Sequence, residues 1–114
     1  MNFNVFIFDY RGFGQSTGSP YEQGLYLDAE TAFDYLLGRH DLVDPNKLFI
    51  VGTSLGCCIA SYIASKRAGK FRGLVIENCF TNLKRVIREK HPLFHSVSFV
   101  LRMMYPTEEH IQEV

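Results

Sequence analysis

The chain has 114 residues, with 12 basic and 12 acidic side chains and a formal net charge of zero, a length that fits one domain with a real core. Its 46% hydrophobic and 21% charged content is that of a globular chain and argues against disorder. The balanced charge, without an acidic or basic block, argues against nucleic-acid binding through a general positive field.

Residues 4–10, NVFIFDY, make a nearly continuous apolar run rich in β-formers, which predicts a strand buried on both faces. RGFGQSTGSP follows, and its glycines, serines and proline read as a loop. Asp9 is expected to hold that loop through hydrogen bonds, and Arg11 either to pair with an acidic neighbour or to cover a pocket rim. The next helix is expected with Ser19 as N-cap, Pro20 at its first position and Glu22 completing a capping box. Leu25, Ala29, Ala32, Phe33 and Leu36 recur at helical spacing, leaving Asp28, Glu30 and Asp34 toward water, and Gly38 is the expected stop.

The connector HDLVDPN carries an Asp44-Pro45 step that forces an extended turn. A second strand is predicted over 47–51, a second helix over 54–66 capped by Gly69, and a third strand over 73–79. The alternation strand, helix, strand, helix, strand predicts an α/β fold with a parallel sheet and right-handed crossovers. Residues 1–81 then form a βαβαβ core of about three strands, and residues 82–114 a helical, lid-like segment. In that segment Leu83, Val86 and Ile87 suggest a short helix broken by Pro92. No internal repeat or domain linker is evident, so 1–114 reads as a single domain.

Cys57, Cys58 and Cys79 are odd in number and show no C-x-x-C spacing, so reduced thiols and no disulfide are expected. The start MNFNVFIFDY has neither a basic first region nor a small-residue cleavage site, so it does not read as a signal peptide. Residues 92–105 are too short to span a bilayer and include His95 and Arg102. An interfacial role for that stretch is left open, and an intracellular or membrane-associated setting is expected. Neither cofactor nor metal is expected.

The most informative stretch is LFIVGTSLGCC, where Gly52-Thr53-Ser54-Leu55-Gly56 lies between the second predicted strand and the second helix. A G-x-S-x-G turn in that context is a nucleophile elbow, with the serine held in a strained conformation that lifts its oxygen clear of the backbone. Gly52 and Gly56 are expected because the positions two before and two after the serine approach closely. The Leu55 amide is then placed to bind an oxyanion. Gly12-x-Gly14 is not a dinucleotide fingerprint, because the helix opens only after Ser19. A phosphate-binding loop would need a lysine where Cys57 stands.

Together FDYRGFGQSTGSP, GLYLDAETAFDYL, LFIVGTSLG and VIENCFTNL resemble the α/β-hydrolase superfamily, most closely the subgroup of alpha/beta hydrolase domain-containing protein 13 and its fungal relatives. The resemblance runs from Asn4 to Leu83 and continues more weakly beyond. It implies a serine hydrolase of esters or thioesters, lipid-linked acyl groups among the substrates, with Ser54 as nucleophile and the Leu55 amide in the oxyanion hole. Cys57 stands where the subgroup usually has a further glycine. Family members are more than twice this length and place the triad acid and histidine after later strands, so the chain is expected to match the middle of a hydrolase and to be inactive alone. An upstream strand of the family lies between those matching 4–10 and 47–51, which implies a gap in the sheet or a new pairing.

Local substitutes for the triad partners are His40, His91, His95 and His110, each of which reads more simply as a polar or capping histidine. Glu77 occupies an alternative acid position, with a plainer reading as a partner for loop backbone. The hypothesis of a different class is a non-catalytic fragment or interaction module that keeps the hydrolase fold.

Overall fold

The computed structural model describes residues 3–79 and Ile111. The expectations for 82–110, including His91, His95 and His110, lie outside these residues. The described elements are helix α1 (Glu22–Gly38), a short 3-10 turn (Pro45–Lys47), strand β1 (Phe49–Thr53), helix α2 (Leu55–Lys66) and strand β2 (Gly73–Glu77). β1 and β2 pair in parallel, from Phe49 opposite Gly73 to Thr53 opposite Glu77. The α/β character and the parallel crossover are therefore as expected.

Several boundaries differ from the sequence reading: β2 stops at Glu77 rather than running to 79, and α2 starts at Leu55 because Ser54 has a non-helical backbone. Residues 4–10 are extended but join no ladder among the described residues. A strand is completed only by a neighbour's hydrogen bonds, and among the described residues β1 pairs with β2 alone. The gap, rather than a new pairing, is the outcome. The expected start of α1 also fails: its N-cap is Tyr21, with φ −152° and ψ 155°, and no side chain caps it. Pro20 instead packs against Gly12, where an added Cβ would collide with the proline ring. Ser19 and Pro20 thus belong to the loop. β1 begins two residues later than expected, because Asp44 caps the 3-10 turn by accepting from the Asn46 amide at 3.0 Å.

The core lies between the two helices and on the sheet face beneath α2. Leu25, Tyr26, Ala29 and Phe33 of α1 meet Cys58, Ile59 and Ile63 of α2 in one buried cluster. Tyr26 stacks on Tyr62 with ring centroids 4.0 Å apart. Glu30 and Asp34, expected to face water alone, both pair with Arg67 just beyond α2, at 3.4 and 2.9 Å. Gly69 is not the helix cap, a place taken by Arg67, but adopts φ +77° in the following turn.

The 9–18 loop is held from both sides. Asp9 accepts from the Gln15 amide at 3.1 Å, while its carbonyl accepts from the Ser16 hydroxyl at 2.7 Å. Arg11 donates through Nε and Nη2 to the Asp28 carboxylate at 2.7–3.1 Å, and its own amide adds a bond of 2.8 Å. That settles Arg11 as an ion-pair partner on α1. Between residues 6–10, α1 and β1 lies an apolar groove of about 150 Å³, reached by Phe6, Phe8, Phe33, Phe49 and Val51.

Candidate active site

β1 ends at Thr53 and α2 begins at Leu55, so a single residue makes the change of direction. That residue is Ser54, with φ 55° and ψ −116°. A left-handed φ at a residue with a Cβ costs on the order of 1–3 kcal/mol and persists only where the surroundings impose it. Here the Ser54 amide donates to the Glu77 carbonyl at 3.1 Å, and the Ser54 carbonyl accepts from the Cys57 amide at 3.0 Å. One bond ties the turn to β2 and the other starts the helix.

A serine in the N-cap position ordinarily gives its oxygen to an amide of the first turn. Ser54 does not: its side chain makes no cap hydrogen bond, and the residue is exposed. The hydroxyl is thus directed away from the role that a simple capping serine would have. The Leu55 amide is the first of α2, where helix N–H groups lack internal partners and carry the positive end of the helix dipole.

The flanking glycines are not equivalent. A Cβ on Gly52 would meet the Gly56 carbonyl group, its carbon at 2.7 Å, and the Ala60 Cβ at 2.8 Å. Only glycine lets α2 lie so close to β1. A Cβ on Gly56 would meet nothing within 4 Å among the described residues. The expectation of crowding therefore applies to Gly52 alone, and Gly56 faces the apolar groove.

Glu77 ends β2 directly opposite Thr53. Its backbone carbonyl supports the Ser54 turn, and its exposed side chain makes no hydrogen bond to a described residue. His40 lies between α1 and β1, at the amino end of the strand whose carboxyl end carries Ser54. Five strand residues at about 3.3 Å each separate these levels, so His40 is not positioned as a base for Ser54.

The cysteines overturn the expectation of reduced thiols. Cys57 and Cys79 form a disulfide, with Cα atoms 5.6 Å apart, and Cys58 stays outside it, a buried thiol. Successive residues of a helix point in directions about 100° apart. Cys58 therefore joins the inter-helix core while Cys57 faces the end of β2. Counting parity and spacing could not reveal this, because the pairing depends on the β1–β2 register, which brings the residue after Asn78 beside the third residue of α2.

With this geometry in place, comparison with known proteins gives a consistent result. The family model described as alpha/beta hydrolase fold matches residues 2–100, and the chain belongs to the α/β-hydrolase family. It is 39% identical to Protein bem46 of Schizosaccharomyces pombe over 97 residues, covering 85% of this chain and 32% of that protein. It is 37% identical over 105 residues to the Uncharacterized membrane protein YNL320W of Saccharomyces cerevisiae, covering 92% of this chain and 37% of that protein. A crystal structure of an alpha-beta hydrolase from Vibrio vulnificus superimposes with a TM-score of 0.69 at 26% identity, covering 92% of this chain and 40% of that one. The chain thus spans about a third of the length of the curated relatives it matches. Among the described residues no helix is long and apolar enough to cross a membrane.

Proposed function

We propose that this chain carries the nucleophile-bearing segment of a serine hydrolase that cleaves acyl esters or thioesters, lipid-linked acyl groups included. The observation that supports it most is the conformation of Ser54: a left-handed residue on an exposed strand-to-helix turn, its hydroxyl not used to cap α2. In this reading Ser54 Oγ attacks the acyl carbonyl carbon while a general base takes its proton. The Leu55 amide donates to the developing oxyanion, an interaction of roughly 3 kcal/mol in such sites. The leaving group departs protonated, and water releases the acyl group by the reverse proton movements. The base belongs to sequence outside the described residues. Glu77, at the end of β2, is the acid candidate on the described part of the site. Association with a membrane, through residues 92–105 or through other parts of a longer protein, would suit a lipid-linked substrate.

The placement of His40 at the far end of β1 favours a second reading for the chain by itself, a hydrolase-fold segment that does not hydrolyse. Assays with p-nitrophenyl esters and acyl thioesters separate the two. A longer protein containing this segment is expected to turn over, the 114-residue chain alone to show little or no turnover, and Ser54→Ala to abolish activity in the longer protein. Activity that survives Ser54→Ala would refute the assignment.

A further inference from the structure

We infer that the Cys57–Cys79 disulfide is a redox-responsive clasp on the Ser54 turn, opened by a dithiol reductant. The bond closes a loop with a sequence separation of 22, and its two ends flank the hydrogen bond that shapes the turn. Ser54 donates its amide to the Glu77 carbonyl at 3.1 Å; Cys57 lies three residues after the one, Cys79 two residues after the other. Between Glu77 and Cys79, Asn78 is held at φ 54°. The clasp therefore fixes the end of β2 against the start of α2 where the serine's conformation is set.

Two features suit the bond to reversible opening. Cys79 is an exposed residue whereas Cys57 is fully buried, so attack by a reductant is expected at Cys79. The Cys57 sulfur lies 3.3 Å from the Gly52 carbonyl oxygen and 3.2 Å from that of Glu77. In the disulfide these are contacts only, since the sulfur carries no proton. Once reduced, the thiol can donate to either oxygen, so the buried sulfur is accommodated in both states.

In the opening step a thiolate of the dithiol attacks Cys79 Sγ, the S–S bond breaks, and Cys57 leaves as a thiolate that takes up a proton. The second thiol of the reductant displaces Cys79 from the mixed disulfide. Two electrons and two protons pass to the protein, and the reductant leaves as its own disulfide.

The consequence for chemistry rests on the reading of Ser54 as nucleophile, but the test does not. The chain is equilibrated in oxidising and reducing dithiol buffers, denatured, and its thiols counted by maleimide mass shift. One adduct, from Cys58, is expected when oxidised and three when reduced. Native-state hydrogen exchange is then followed by peptide. Amides of α1 report the general loss of stability on opening the loop, and relative to them the amides of residues 54–57 and 77–79 are expected to gain about a further tenfold in exchange rate after reduction. Cys79→Ser should show the reduced rates in both buffers. Three adducts under oxidising conditions, unchanged exchange at 54–57, or an equal loss of protection in α1 would each overturn the clasp.

Discussion

Replacing Gly52 by alanine separates the geometric account of the elbow from a motif match. The new methyl would sit 2.7 Å from the Gly56 carbonyl carbon and 2.8 Å from the Ala60 Cβ, where carbon atoms normally rest about 3.5–4.0 Å apart. The amino end of α2 must then move about 1 Å off β1, and one of the obstacles is backbone, which cannot rotate aside. Overpacking of this kind costs about 1–3 kcal/mol, and the backbone obstacle places Gly52→Ala near the upper end. For a domain of this size each 1 kcal/mol lowers Tm by roughly 4–8 °C, so a drop of more than about 10 °C is expected. Gly56→Ala provides the contrast. Its Cβ would meet no described residue within 4 Å and its position is helical, so alanine should be neutral or stabilise by about 0.5–1 kcal/mol. Thermal melts followed by circular dichroism, with a soluble fusion partner released just before measurement, read both variants. Equal effects of the two substitutions, or a neutral Gly52→Ala, would refute the close-approach argument.

Three further outcomes follow from the structure. Arg11 hydrogen-bonds the Asp28 carboxylate and holds its pKa below the ordinary value, so the pair's contribution is present above the unfolded carboxylate pKa and is lost as pH falls through the lowered one. Acid titrations of stability should therefore fall more steeply below about pH 4 for the parent chain than for Asp28→Asn; parallel curves would show that the pair contributes nothing. Opening the disulfide by Cys79→Ser should cost about 3 kcal/mol through the released 22-residue loop, read as a shift in the urea midpoint; no shift would mean that the bond does not form in solution. Val5 and Ile7 are 83% and 86% exposed on an extended segment without a ladder partner among the described residues, a surface that invites self-association. Lysine at both positions should raise the monomer fraction in size-exclusion chromatography; an unchanged elution profile would place the association elsewhere.

The parts of the fold that were legible in the sequence are those set by local constraint. Gly52 and Ser54 signal their turn because the backbone path between a strand and a helix only one residue apart admits few side chains, and the apolar spacing of Leu25, Ala29 and Phe33 marks the buried face of α1. What failed depends on partners distant in sequence. Residues 4–10 have the composition of a buried strand but lie across a groove from β1. Ser19, Pro20 and Glu22 spell a capping box, yet the contact of Pro20 with Gly12 draws the first two into the loop. The disulfide joins residues made neighbours only by strand register. At the site, the strained serine was readable from five residues, whereas no local spacing could point to a base for it. A triad is assembled by the fold and not by spacing along the chain.

The most direct test of the central claim is covalent labelling with a fluorophosphonate probe, followed by peptide mapping, on a longer protein that contains this segment and on the isolated chain. The account predicts a single phosphonyl adduct on Ser54 in the longer protein, its loss in Ser54→Ala, and slow or no labelling of the 114-residue chain. An adduct on another residue, or a longer protein that is folded and unlabelled at Ser54, would contradict it.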